Sequence, residues 1–116
     1  TYASDERFKQ NITPISAALE KLLQLKGVEY EMKIKEFSKN YFSTGRQMGL
    51  IAQDVEKIIP EAVNEKDGYK GVDYARLVPL LIEGIKEQQQ QIINYHKQME
   101  KMQIQLDELK KALEKF

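Results

Sequence analysis

The chain has 116 residues, with 18 basic and 18 acidic side chains, a formal net charge of zero, no cysteine and one histidine. The balanced charge and the lack of a basic face argue against nucleic acid and anionic membranes as partners, and the absence of cysteine excludes disulfides and thiol chemistry. No apolar run approaches the length of a membrane span. The chain begins at Thr1, and we expect it to be a fragment of a longer protein.

The first predicted elements are a helix and a strand. Thr13 followed by Pro14 is typical of a helix start, and an apolar face at helical spacing follows up to residue 26. Residues 28–35 alternate apolar and charged side chains without interruption. This alternation predicts a strand with one buried face and one solvated face.

The middle of the chain predicts a loop, a helix and a hairpin. Residues 37–45 have the composition of a loop, whose three aromatic side chains either fold back on the core or grip a partner. Residues 47–60 begin with a short apolar run and continue at helical spacing up to a proline. Two short strands flank an Asp-Gly turn at residues 67–68. We expect Asp73 to cap the long helix that follows, and Pro79 to bend it.

The last third of the chain carries a heptad stripe. With Ile85 at position a, thirteen a and d positions follow one another over residues 74–116, and Gln88 is the only plainly polar one. This stripe predicts a homo-oligomeric coiled coil, and the alternative is one amphipathic helix folded onto its own domain. Glutamine is the commonest residue at the flanking e and g positions, so ion pairs there do not determine which helix is the partner. The predicted interface residues are Ile85, Ile92, Met99, Met102, Leu106, Leu109 and Leu113.

These elements predict an α+β fold, with a small globular part of helices and a few short antiparallel strands followed by one long helix. Only about 70 residues lie outside the helix, which is near the lower limit for a self-sufficient core. Ile82, Ile93 and Ile104 form a second apolar stripe, with a spacing of eleven. They are either tolerated surface residues or the contact with the globular part of their own or a neighbouring subunit.

Few residues are candidates for chemistry. His96 lies at an e position of the coil and is expected to be solvated or at an interface, and no metal-ligand spacing, phosphate loop or nucleophile elbow is present. Ser4 and Lys9 remain, although a serine and a lysine five residues apart are common and Ser4 equally suits a helix cap. For Lys9 to reach Ser4 the segment must bend. To act as a base, Lys9 must also be neutral, which burial favours.

Four blocks of sequence carry a resemblance to a known family. In order, they are SDERFKQNI (residues 4–12), GLIAQDV (49–55), PEAV (60–63) and YARLVPLLIEGIK (74–86). Together they resemble the C-terminal intramolecular chaperone domain of phage endosialidases and other tail spikes and tail fibres. A related domain cleaves the myelin regulatory factor class of membrane-bound transcription factors. The resemblance covers essentially residues 4–116.

The resemblance implies a function and a site. Domains of this family trimerise, help an upstream β-helical stalk of the same polypeptide to fold, and then cut themselves off just before the serine of an S-D-x-x-x-K block. Carried over, Ser4 is the nucleophile, Lys9 the base and Ala3–Ser4 the scissile bond, with positioning roles for Asp5 and Asn11. The resemblance implies neither metal nor cofactor. It implies a tail fibre or spike precursor in the host cytoplasm, from which the domain is released after cleavage.

The implied organisation has three parts. Residues 1–3 are the end of the upstream segment, residues 4–73 the auto-processing domain and residues 74–116 the trimerisation helix. The chain has no large insertion that would grip a stalk, and the loop at residues 37–45 is the only candidate for that role. Two alternatives stay open: a non-catalytic trimerisation and folding module with a silent serine–lysine pair, and an unrelated coiled-coil adaptor.

Overall fold

In the computed structural model, which describes residues 1–116, two short helices, four short strands and the start of one long helix form a small body. The rest of the long helix projects from it. The helices are α1 (Ala18–Gln24), α2 (Ala52–Ile58) and α3 (Leu77–Glu114), and the strands are β1 (Val28–Glu31), β2 (Arg46–Gly49), β3 (Val63–Lys66) and β4 (Tyr69–Val72). The molecule measures 82 × 42 × 24 Å because α3 alone has 38 residues. The predicted α+β architecture with a long C-terminal helix is confirmed. None of the helices combines the length and the apolar character needed to cross a lipid bilayer.

β1 and β2 form an antiparallel pair that is shorter than the sequence predicts. The register pairs Glu31 with Arg46, the first residue of β2. Because β2 supplies no partner before Arg46, the chain leaves the strand after Glu31 and turns at residues 34–37. The prediction of a strand up to Lys35 is therefore wrong in its second half. The first half keeps the expected alternation of half-buried and exposed side chains.

β3 and β4 form the predicted hairpin. Val63 lies opposite Val72 and the two strands are antiparallel. The turn residues Asp67 and Gly68 have φ angles of 54° and 82°. Both central residues of a type I′ turn need such left-handed angles, and an Asp-Gly pair adopts them at low cost. The prediction of two strands around an Asp-Gly turn is confirmed.

α1 begins at Ala18, five residues after the predicted start at Thr13. Ala17 has a φ of 53°, in the left-handed region, so no helix continues through it. The backbone N–H groups of Ala18 and Leu19 donate to the two carboxylate oxygens of Glu87 on α3, each at 3.0 Å. A carboxylate that accepts from two N–H groups competes well against a threonine hydroxyl that accepts from one. The helix therefore starts where Glu87 can reach it.

α3 begins at Leu77, after a 3₁₀ turn at Tyr74–Arg76. Asp73 stands at the start of that turn, but its carboxylate accepts from Arg76 Nε at 3.2 Å and caps no backbone N–H group. Pro79 is thus the third residue of α3, where a backbone N–H would have no intrahelical partner. The expected side-chain cap by Asp73 is therefore wrong. The expected bend at Pro79 assumed that the proline removes a hydrogen bond inside the helix, and in the first turn of α3 it removes none.

The core of the body is small and includes the start of α3. Its buried side chains come from α1, α2, the segment after α2 and α3, and they are Ala18, Val55, Ile59, Ala62, Leu77 and Leu80. Gly84 lets α1 approach α3 closely, because a Cβ atom at this position would lie 2.2 Å from Leu22 Cδ1. The body and the first turns of α3 consequently share one core, while no residue of α3 beyond Gly84 is buried.

The loop between β1 and β2 presents its aromatic residues in two ways. Phe37 folds back and packs edge-to-face on Tyr69 of β4, with ring centroids 5.8 Å apart. Tyr41 has a φ of 54° and a side chain that is 92% exposed. Within one chain, Tyr41 is therefore the aromatic residue of this loop that stands free for a partner.

Candidate active site

A single 3₁₀ turn folds the N-terminal segment back on itself. Residues 6–8 form the turn, which Phe8 closes by donating its backbone N–H to the Asp5 carbonyl oxygen at 3.0 Å. The turn brings Lys9 Nζ to 2.8 Å from Ser4 Oγ, and the amine donates a hydrogen bond to the hydroxyl oxygen. The bend that contact between Ser4 and Lys9 requires is thus present in the chain.

Asp5 holds this turn together. Its Oδ1 accepts from the backbone N–H of Arg7 at 2.9 Å and from Arg7 Nε at 3.0 Å, while its Oδ2 accepts from Arg7 Nη2 at 2.9 Å. The side-chain hydrogen bonds from Arg7, with the backbone bond second, lower the pKa of Asp5 below its usual value. The same pairing raises the pKa of Arg7. Asp5 therefore caps the turn that ends beside Lys9.

Asn11 changes the direction of the chain just after this turn. Its φ is 54°, a left-handed angle that asparagine adopts more readily than most residues. Ala17 repeats such an angle at the start of α1. We name residues 1–16 the N-terminal arm, and these two left-handed residues set the path of its second half.

The Ser4–Lys9 pair is open to solvent within one chain. Both residues are exposed, and no hydrogen bond joins residues 1–12 to the rest of the molecule. Phe8 and Ile12 are also exposed, at 77% and 67%. A single chain therefore brings the two functional groups together without enclosing them.

The predicted coil residues lie bare along α3. Those named as the interface are each at least half exposed, with Ile85 at 64% and Leu106 at 50%. Ile82 is also exposed, so the second stripe does not pack on the chain's own body there. The contact with the body uses a different side of α3, that of Leu77, Leu80, Gly84 and Glu87.

His96 takes part in a surface contact on α3. Its Nε2 lies 3.2 Å from Glu100 Oε1, one turn further along the helix, and both side chains are mostly exposed. This arrangement fits the expected solvated histidine at an e position of the coil. It gives His96 no contact with Ser4 or Lys9.

Glu87 is a residue of this region that the sequence did not single out. It lies far from the arm in sequence yet caps the helix from which the arm departs. A signal for it exists in the 3-4-3 spacing of Leu77, Leu80, Gly84 and Glu87. That spacing marks one side of α3, beside the a/d stripe, as a second contact face.

Comparison with protein families gives a match to the chaperone of endosialidase, a peptidase family, over residues 4–64. The match begins at Ser4, includes the serine–lysine turn and ends within β3. It covers more than half of the chain and is independent of the heptads of α3.

Curated relatives of the chain are long tail fiber proteins of phages. Gp37 of Enterobacteria phage K3 is 35% identical over 88 residues, which is 72% of this chain and 7% of the relative. Gp37 of Enterobacteria phage M1 is 38% identical over 94 residues, which is 77% of this chain and 37% of the relative. The chain thus spans between 7% and 37% of the length of these two curated relatives.

Proposed function

Since the chain belongs to the chaperone-of-endosialidase family, we propose that it is a trimeric intramolecular chaperone that assists the folding of an upstream fibre and then releases itself. The upstream fibre is part of the same polypeptide, as the long tail fiber relatives suggest. Release occurs by cleavage of the Ala3–Ser4 bond. The precursor folds in the host cytoplasm, before the fibre joins the phage particle.

The observation that carries this proposal is the 2.8 Å contact between Lys9 Nζ and Ser4 Oγ. A serine hydroxyl is a weak nucleophile until a nearby base removes its proton, and a lysine amine within hydrogen-bond distance is such a base. The family match also begins at Ser4, directly after the proposed scissile bond. Geometry and family therefore point to the same residue.

The chemistry uses only groups of this chain and one water molecule. The neutral amine of Lys9 takes the hydroxyl proton of Ser4, and Ser4 Oγ attacks the carbonyl carbon of Ala3. The peptide C–N bond breaks, and the proton passes from Lys9 to the Ser4 nitrogen, which becomes a new amino terminus. Water then hydrolyses the ester between Ala3 and Ser4, which frees the Ala3 carboxyl group and restores the Ser4 hydroxyl.

Lys9 must change from hydrogen-bond donor to hydrogen-bond acceptor before this reaction starts. In one chain, the Lys9 amine is the donor and Ser4 Oγ the acceptor, and both lie in solvent. A catalytic Lys9 must instead accept the proton, and a drier surrounding favours the neutral amine that does so. We propose that a neighbouring subunit of the trimer supplies the missing wall around Lys9.

Trimer formation is supported by the bare heptad stripe of α3. The stripe is apolar over about six heptads, and a run of this length on a soluble helix marks a surface for other helices. Heptad composition alone leaves dimer and trimer open, and the resemblance to three-fold tail spikes and fibres favours the trimer. A monomeric mass from light scattering at micromolar concentration would rule this assembly out.

A longer version of the protein, carrying residues upstream of Thr1, tests the proposed site. Mass spectrometry of the wild type should give two fragments that meet between Ala3 and Ser4. The variants Ser4→Ala and Lys9→Arg should remain in one piece. The first lacks the nucleophile, and the guanidinium of the second does not give up its proton and so cannot act as a base. Both should still form trimers, because neither residue lies in α3. The matched controls Ser16→Ala and Lys26→Arg should cleave as the wild type does. Cleavage of Lys9→Arg at the same bond would show that Lys9 is not the base.

The exposure of Lys9 favours a second candidate, in which the Ser4–Lys9 pair is silent and the chain is only a trimerisation and folding module. In that case, the wild-type long protein stays intact while it forms trimers. The same mass measurement therefore separates the two functions.

A further inference from the structure

We propose that Glu87 is a positioning residue for the Ser4–Lys9 pair and that it connects the coiled coil to the N-terminal arm. This inference rests on the proposed self-cleavage. It is carried by two hydrogen bonds between segments that are 68 and 69 residues apart in sequence.

Glu87 of α3 contacts the first two backbone amides of α1 directly. Glu87 Oε1 accepts from the Ala18 N–H and Oε2 from the Leu19 N–H, both at 3.0 Å and in a partly buried setting. No side chain of the arm caps α1. Hydrogen bonds to an ionised carboxylate are among the stronger ones in proteins, so this pair fixes the start of α1 to α3.

The second step leads from α1 to the arm. The arm leaves α1 at Ala17, which has a left-handed φ of 53°, directly beside the two amides that Glu87 holds. No hydrogen bond fixes residues 1–12 to any other part of the chain. The direction in which the arm presents Ser4 is consequently set between Asn11 and the root at Ala17, and Glu87 acts at that root.

The third step leads from Glu87 to the coil. Ile85 and Gln88, which are heptad positions a and d, lie on the same helical turn as Glu87. Gly84, on that turn as well, allows the close approach that brings α1 within reach of the carboxylate. Glu87 already joins this turn to the root of the arm in one chain. When the seam residues pack in the trimer, they orient this turn relative to the neighbouring subunits, and the root of the arm is oriented with it. Assembly of the coil and presentation of the cleavage site share one turn of α3.

The test uses the longer version of the protein and compares wild type, Glu87→Gln, Glu87→Ala and the control Glu83→Gln. Glu83 lies one turn earlier and pairs only with Lys86 on the same helix, at 3.3 Å. The measured quantities are the rate constant of cleavage at the Ala3–Ser4 bond, its dependence on pH and the mass of the assembly. In a Ser4→Ala background, hydrogen exchange reports on the amides of Ala18 and Leu19.

Glu87→Ala is expected to slow cleavage by about tenfold or more, because the two charge-assisted hydrogen bonds are lost. Glu87→Gln should be intermediate, since its amide keeps one acceptor oxygen, and Glu83→Gln should match the wild type. The mass of the trimer and the pH midpoint of the cleavage rate should not change, because Glu87 contacts neither the seam nor Lys9. The Ala18 and Leu19 amides should exchange faster in both Glu87 variants.

Three results would overturn the inference. A wild-type cleavage rate in Glu87→Ala would show that the cap does not position the site. A slower rate accompanied by loss of the trimer would assign Glu87 to folding alone. An uncleaved wild type would refute the proposed function itself, and the positioning role would fall with it.

Discussion

The two halves of α3 differ in what covers their leucines. In the half that adjoins the body, Leu77 and Leu80 are 7% and 5% exposed, because side chains of α1 and α2 pack on them. In the other half, Leu106 and Leu113 are 50% and 64% exposed. The helix is continuous from end to end, and the residue type is the same. The difference lies in the neighbours that a single chain provides on the side of α3 that faces the body, because Leu81, on the seam beside Leu80, is 46% exposed.

This contrast is the one expected if α3 takes part in two cores, as the proposed trimer requires. The first is complete in one chain and uses the side of α3 on which Gly84 and Glu87 lie. The second is the a/d seam, which α1 leaves uncovered because it packs beside it. A long bare apolar seam is typical of a helix that meets other helices. Substitutions in one half of α3, or in its connection to the arm, test each of these two surfaces separately.

The largest effect is expected from Leu106→Pro in the bare half. It removes a helix hydrogen bond and a seam side chain from each subunit, at a cost of roughly 3 kcal/mol or more per chain. Light scattering should then give a monomeric mass, and cleavage in the longer protein should fall with it. Lys101→Ala, on the outer face of the same region, is the control and should remain assembled. A Leu106→Pro protein that stays trimeric would show that the seam does not hold the subunits together.

Leu80→Ala should destabilise the covered half. Leu80 is buried in the core of the body, so the free energy of unfolding should fall by about 2–5 kcal/mol. Thermal denaturation followed by circular dichroism measures the loss. The adjacent Leu81→Ala is the matched control, because Leu81 is 46% exposed and should change the body much less. Equal losses in the two variants would contradict the assignment of Leu80 to the body and Leu81 to the seam.

Gly84→Leu should destabilise the packing of α1 on α3, with a smaller loss in the free energy of unfolding. A Cβ at residue 84 already meets Leu22 Cδ1 at 2.2 Å, and overpacking of this kind costs roughly 1–3 kcal/mol. The amides of Ala18 and Leu19 should lose protection against hydrogen exchange as Glu87 moves away. Gly27→Leu is the control, because nothing lies within 4 Å of a Cβ at residue 27. Unchanged protection in Gly84→Leu would mean that the close approach at Gly84 is unnecessary.

The smallest effect concerns the arm and its dependence on pH. The hydrogen bonds from Arg7 lower the pKa of Asp5 below its ordinary value of 3.8. The ionised carboxylate therefore stabilises the turn fully above pH 3.8, and this contribution is lost as the pH falls through the lowered pKa. An acid titration of the Arg7 amide shift by NMR should have its midpoint below 3.8, with Asp5→Asn as the control that lacks this transition. A midpoint at or above 3.8 would show that the Asp5–Arg7 pair does not form in solution.

Signals within a few residues predicted local structure well. The Asp-Gly pair at residues 67–68 specifies its own turn, and the long heptad pattern specifies α3 without reference to the body. The errors lie where a distant partner decides. α1 starts where Glu87 reaches it and not at Thr13. β1 stops at Glu31 because β2 offers no pairing residue before Arg46. No local pattern contains that information.

The candidate site divides in the same way. The sequence leaves Ser4 and Lys9 as the candidates for chemistry, the resemblance gives them roles, and their spacing requires the chain to bend between them. The bend is stabilised by Asp5 and Arg7, which are two residues apart, so it can be predicted from local capping preferences. Glu87, in contrast, lies 69 residues from the amide of Ala18. Only the packing of α1 on α3 brings them together. The roles of Ser4 and Lys9 in cleavage stay predictions.

The central claim is that the Ala3–Ser4 bond is cut by Ser4 and Lys9 only in the assembled trimer. The most direct measurement is the cleaved fraction of the longer protein after a fixed time over a dilution series, with the mass of the assembly measured in each sample. The account predicts that fragments meeting between Ala3 and Ser4 accumulate where trimers form and disappear where the protein is monomeric. Cleavage at full rate in a demonstrated monomer, or its absence in a demonstrated wild-type trimer, would contradict the account.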